Sequence, residues 1–290
     1  MIELLPDWLR AWLEEPIVAA WLATLAWAAG VALLLQVVAV LGGGGMAKSG
    51  GATAIALALG FTAGVMTVVP GMPGLPPAER WQWCAWLVPA TLLLLWFEEA
   101  HGIASVLRFL LHLALVVAIA WWLVRPSGRA RDWSPLEAQI VWIGGGLALL
   151  LLLLLGERCA ASAPAWRWLL PHWLAAATSV VLLAEQSDRL ARCAGGLVAV
   201  LSVALLLGLA HRSAPTARSS FAVVVMALVS LLAYAWGARH LGGLSTALLL
   251  VVCASVVLPA GSGGGRKGWL IVGVGPIVAC LAAWLVRAAT

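Results

Sequence analysis

Apolar residues occupy this chain in long blocks, and polar residues fall almost entirely in the short stretches between them. The blocks are 17–41, 52–70, 83–97, 103–124, 140–156, 168–184, 193–210, 221–238, 244–260 and 269–286. A bilayer-spanning helix needs about 20 predominantly apolar residues, whereas a barrel strand would show alternation over about ten. The pattern therefore predicts about ten transmembrane helices and an all-α, polytopic integral membrane bundle. The whole of 1–290 is read as a single transmembrane domain. Its last part, 221–286, forms a C-terminal three-helix segment.

Before the first block, Leu5, Trp8, Leu9, Trp12 and Leu13 recur at helical spacing, with Asp7, Arg10 and Glu14 on other faces. This predicts an acidic amphipathic helix over 1–15, lying in the interface and stopped at Pro16. Glu3, Asp7, Glu14 and Glu15 oppose the basic start of a secretory signal, so the segment is expected to be retained.

A repeat at an offset of 87 residues organises the middle of the chain. From Pro77 the sequence reads PAERWQWCAWLVPATLLLLWFE, and from Pro164 it reads PAWRWLLPHWLAAATSVVLLAE. The two share Arg80/Arg167, Trp81/Trp168, Trp86/Trp173, Leu87/Leu174, Thr91/Thr178, Leu95/Leu182 and Glu98/Glu185. The offset carries 52–124 onto 139–211, three predicted helices onto three. An odd number of helices reverses the second copy, so the reading is an inverted-topology repeat. On each motif helix the Arg, Thr and Glu fall within an arc of about 80°, with Arg and Glu ~27 Å apart along the axis. If the two helices lay antiparallel and face to face, Arg80 would meet Glu185 and Arg167 would meet Glu98.

Composition sharpens this and closes off other classes. Hydrophobic residues make up 63% and charged residues 10% of the chain, which leaves too few polar positions for a soluble domain. The net charge of +5 comes from basic residues spread one to three per loop, so no nucleic-acid surface is expected. Nine Lys+Arg lie on the side of the predicted N-terminus and seven on the other, which places the termini in the cytoplasm of an inner-membrane protein. Many of the eighteen Trp sit at predicted span ends, as an aromatic belt would have them.

The candidate chemistry is ionisable and intramembrane. Glu98, Glu99 and His101 close the third span, and Arg108 and His112 share a face of the fourth. A charge at that depth costs several kcal/mol unless paired or hydrated. Glu98 or Glu99 across the hairpin is the expected partner of Arg108. Candidate binding or gating residues are thus Arg80, Thr91, Glu98, Glu99, Arg108, His112, Arg167, Thr178 and Glu185. Pro89, Pro171 and Pro276 fall in spans where a transporter would break its helices.

The five Cys stand alone, with no metal-ligand spacing, and no pair of His is set for haem. Gly43–Ser49 lacks the second Gly and the preceding strand of a phosphate loop. No hydrolase or protease motif occurs. No cofactor, metal or catalytic residue is therefore expected. Gly144, Gly145 and Gly146 are expected to let two helices approach closely. The functional expectation is a secondary transporter for a small polar or ionic substrate in the lipid bilayer. The alternative is a non-catalytic structural or accessory subunit bound to other membrane subunits.

Overall fold

The fold is seen in a computed structural model, which describes residues 16–41, 51–68, 77–101, 105–119, 121, 132–162, 165–184, 187–210 and 218–238, with 242, 246 and 249 individually. The predicted 1–15 helix and the spans 244–260 and 269–286 lie outside this description, apart from Thr246 and Leu249. No strand occurs among the described residues. The helices are α1 (Pro16–Leu41), α2 (Gly51–Val68), α3 (Cys84–His101), α4 (Ser105–Ile119), α5 (Pro135–Ser162), α6 (Ala165–Ala184), α7 (Asp188–Ala210) and α8 (Arg218–Gly237). A 3-10 turn, Arg80–Trp83, leads into α3.

Four of these are long and apolar enough to cross a membrane: Ala20–Val38, Pro135–Leu155, Asp188–Leu206 and Ser220–Gly237. That is compatible with an integral membrane protein. The apolar parts of α2 and α4, Thr53–Val68 and Phe109–Ile119, are shorter.

Several helices outrun their apolar blocks, because polar caps start them in the interface. Helix α5 begins at Pro135, where Ser134 and Glu137 form a reciprocal cap. The Ser134 backbone N–H donates to Glu137 Oε2 at 2.8 Å, and the Glu137 N–H donates to Ser134 Oγ at 3.3 Å. Pro135 takes the first helical position, where its missing N–H costs nothing. Helix α7 likewise starts five residues before its apolar block, with Ser187 Oγ accepting from the Leu190 N–H at 3.5 Å. Pro89 and Pro171 do not break their helices: α3 and α6 run through them.

Helix α8 is the axis of the bundle. Every residue from Ser220 to Leu232 is buried, as suits a helix apolar on all sides. It packs against α2, α3, α5, α6 and α7. Beside it, α1, α2 and α7 make a second packing centre built on small residues. A Cβ at Gly60 would stand 2.9 Å from the Ala28 carbonyl oxygen, 3.0 Å from Ala32 Cβ and 3.1 Å from Val200 Cγ1. At Gly64 it would stand 3.1 Å from Ala28 Cβ and 3.5 Å from Gly196 Cα. Among apolar helices in lipid, such close approach supplies the dispersion contacts that hold them together.

The expected close approach at Gly144–Gly146 is not what these glycines do. Nothing lies within 4 Å of a Cβ at Gly144 or Gly145, and only Gly146 nears a neighbour, Val116 Cγ1 at 3.4 Å. Helix α5 packs on α8 and α4, and Gly144 and Gly145 lie away from both.

Candidate functional site

Polar side chains gather at the face of the bundle where α1, α3 and α7 begin and α2 and α8 end, called the N-face below. The turn before α3 is folded by its own groups. The Gln82 N–H donates to the Glu79 carbonyl at 3.1 Å, and the Glu79 N–H donates to Gln82 Oε1 at 3.2 Å. This buries Gln82 and Trp81 and leaves the Glu79 carboxylate at the rim. There Trp81 Nε1–H donates to Oε2 at 2.6 Å, while Arg189 Nη1 reaches Oε1 at 2.7 Å and Oε2 at 2.8 Å. The Trp81 hydrogen bond first, and then Arg189, hold the Glu79 carboxyl below the usual carboxylate range. The Glu79–Arg189 pair joins α7 to the entry of α3. Both side chains are about half exposed, 48% and 57%, so the pair is a latch worth about 0–1 kcal/mol.

One turn further along α7, Arg192 enters the α1–α2–α7 junction. Its Nε donates to Thr24 Oγ1 at 3.3 Å, and its Nη2 donates to the Thr67 carbonyl at 3.1 Å. That carbonyl is in the last turn of α2, where intrahelical partners run out and a cation is favoured. Thr67 Oγ1 lies 2.8 Å from Thr24 Oγ1 and 2.7 Å from the Gly64 carbonyl. Thr24 in turn donates to the Ala20 carbonyl at 3.0 Å. Three helices are thus tied together by one guanidinium and two hydroxyls.

The sequence-derived candidates fall differently. Arg80 is exposed in the turn before α3. Thr91 is buried and donates to the Leu87 carbonyl at 2.7 Å, and Thr178 donates to the Leu174 carbonyl at 2.9 Å. The two therefore repeat one geometry at an offset of 87, each hydroxyl returned to its own helix. His112 is buried in α4. Glu185 lies outside the described residues. Glu98, Glu99, Arg108 and Arg167 are placed on α3, α4 and α6, but their side chains lie outside the description. The two Arg–Glu pairs expected between the motif helices, and the Arg108 pair, fall there with them. The helices themselves are arranged otherwise than face to face: α3 and α6 each pack on α8, and they form no packed pair with each other among the described residues.

The motif Trp residues also part company. Trp173 Nε1–H donates across to Ser202 Oγ of α7 at 2.7 Å. Trp86 Nε1, at the matching place on α3, is buried without a hydrogen-bond partner. Sequence reasoning missed Glu79, Thr24 and Thr67, and it read Arg192 only as part of a solvated cluster with Glu185, Asp188 and Arg189. A Glu with Gln three positions on was the visible sign of the first, and Gly60–Gly64 at helical spacing marked the junction around the others.

Among the described residues, no group of three or more His, Cys, Asp or Glu is placed to hold a metal ion. Comparison with protein-family models, with curated proteins and with solved structures finds no match to this chain.

Proposed function

We propose that the chain is a secondary transporter or permease for a small solute or ion, working through its two three-helix units. They run over about 52–124 and 139–211 as an inverted repeat. The observation that supports this is one motif in two packings. Helix α6 packs against α7 along much of their length and is pinned by Trp173 to Ser202. Helix α3 barely touches α4, and the Trp86 N–H is left over. In an inverted repeat that rocks about a fixed centre, unequal packing of equal units is the expected resting form of one of two states. Glu98 and Glu185, at matching motif positions, are the groups proposed to carry the coupling charge. The chain would sit in the inner membrane with its termini in the cytoplasm.

Proteoliposomes loaded with a pH dye and given a potassium diffusion potential test this reading. Proton flux above protein-free vesicles, cut at least tenfold by Glu98→Gln or Glu185→Gln, supports it. Flux equal to empty vesicles, or unchanged in both variants, overturns it.

A second reading, a structural or accessory subunit, has one observation in its favour. Helix α5 presents Leu136, Ile140, Ile143 and Leu147 outward around the open notch at Gly144. A stoichiometric membrane partner on co-purification would favour that role.

A further inference from the structure

Among the described residues, Arg192 meets only neutral acceptors. The side chain is part-buried between α1, α2 and α7, and both of its acceptors, Thr24 Oγ1 and the Thr67 carbonyl, are neutral. Among the described residues no carboxylate pairs with it. The nearest acidic residue on its own helix, Asp188, is exposed, and the other described N-face carboxylate, Glu79, is taken by Arg189 and Trp81. On α7 one wall of the junction is closed by Trp21, whose ring would meet a Cβ at Gly195 at 3.0 Å. The bound edge of the guanidinium is Nε and one Nη2 hydrogen. Both Nη1 hydrogens and the second Nη2 hydrogen remain for another acceptor.

A cation held at this level, one turn inside an exposed ion pair, still has donors to offer an anion. Phosphate is the acceptor that a guanidinium binds best in two-pronged geometry, and basic pockets between helix ends are where lipid phosphates lodge. We propose that Arg192, with Thr24 beside it, forms an anion site that takes a phosphate group at the N-face of the bundle. The phosphate has two sources, an anionic phospholipid headgroup or free inorganic phosphate. The site stands independently of the transport reading, since a structural subunit could hold it equally well.

The test uses the full chain, purified and reconstituted, with thermal unfolding as the readout. The probes are nanodiscs of phosphatidylcholine alone, the same with phosphatidylglycerol, and inorganic phosphate added to the phosphatidylcholine sample. Arg192→Gln keeps an amide donor for the Thr67 carbonyl while removing the charge, and Arg189→Gln removes an equal charge at the rim.

If the lipid is the source, phosphatidylglycerol raises the Tm of the wild type and of Arg189→Gln. Its apparent affinity falls about tenfold or more in Arg192→Gln, the loss of a charge-assisted pair. If free phosphate is the source, inorganic phosphate reproduces that saturable rise and the same loss in phosphatidylcholine alone. A wild type that responds to neither probe overturns the site, as does an Arg192→Gln that responds like the wild type. Should Arg192→Gln not fold, the uncharged Arg192→Met takes its place with the same outcomes, and retention of phosphatidylglycerol over phosphatidylcholine by the wild type in native mass spectrometry decides independently.

Discussion

Helices α7 and α4 stand at matching places in the two proposed units, offset by 87 residues, and they are different objects. Helix α7 is gripped by α1, α2 and α6, and the three-helix junction, the Arg189 latch and the Trp173 hydrogen bond all involve it. Helix α4 rests on α5 and grazes α3, with Val106, Leu107, Phe109, Leu110 and Val117 facing outward.

The cause is written in four positions. Where α7 has Gly195 and Gly196, α4 has Arg108 and Phe109. Where α7 has Ser202, α4 has Leu115, and where α7 has Arg192, α4 has Ser105. Glycine lets another helix touch the backbone of α7, whereas Phe109, at the place of Gly196, stands exposed. Ser202 gives an indole N–H its acceptor, which Leu115 cannot. The motif residues shared by α3 and α6 therefore meet two unlike partners. Packing divergence between equal motifs needs only a few side chains.

The comparison can be broken at its tightest point. Gly60→Leu drives a side chain into Ala28, Ala32 and Val200 and should destabilise the fold by about 3 kcal/mol or more, since overpacking by smaller groups already costs 1–3. Gly144→Leu, with open space around it, should leave the unfolding midpoint within the scatter of the wild type. Unfolding titrations of both variants measure the contrast, and equal effects would dissolve it.

Next in size is the cap on α2. Arg192→Met leaves the Thr67 carbonyl without its side-chain donor and Thr24 Oγ1 with Thr67 alone as donor, a loss of about 1–3 kcal/mol. Arg189→Met removes an exposed latch worth at most about 1 kcal/mol. Comparable losses in the two would show that the junction is no stronger than the rim.

The two motif Trp residues sharpen the comparison further. Trp173→Phe gives up the bond to Ser202 and should cost about 1 kcal/mol beyond the packing change. Trp86→Phe gives up a buried N–H that has no acceptor, and should be neutral or stabilising. An equal cost at both would mean that Trp86 finds an acceptor in the folded protein.

The smallest effect is acid sensitivity. The Glu79 carboxyl is lowered in the folded state, so its contribution is fully present above the unfolded value and is lost as pH falls through the folded one. Stability should decline slightly as pH drops from about 5 towards 3, and Glu79→Gln should remove that part of the decline. A variant with the wild-type acid profile would take Glu79 out of the account.

Much of this architecture was open to the sequence. Apolar run length located the eight described helices, but the start of α5 at Pro135, ahead of its predicted block at 140, came from the Ser134–Glu137 cap that run length does not register. The repeat motif set Thr91 and Thr178 at matching places as binding candidates, but that each hydroxyl turns back to its own helix was not legible in it. What the sequence could not convey was which faces meet. In a chain apolar on nearly every side, the difference between Gly60, closed in by three residues, and Gly144, open to the outside, lies in the neighbours rather than in the glycine. For the same reason Arg192 looked like one more interfacial charge. Its role depends on Thr24 and Thr67, 168 and 125 residues away in the chain.

We propose that the two units hold one motif in two exchangeable packings. Spin labels at Leu93 on α3 and Leu110 on α4, both exposed, would report the loose pair in proteoliposomes by pulsed dipolar spectroscopy. The account predicts two distance populations whose ratio shifts in Trp173→Phe, as loosening α6 from α7 lets α3 close on α4. A single narrow distance, unmoved by that substitution, would contradict it.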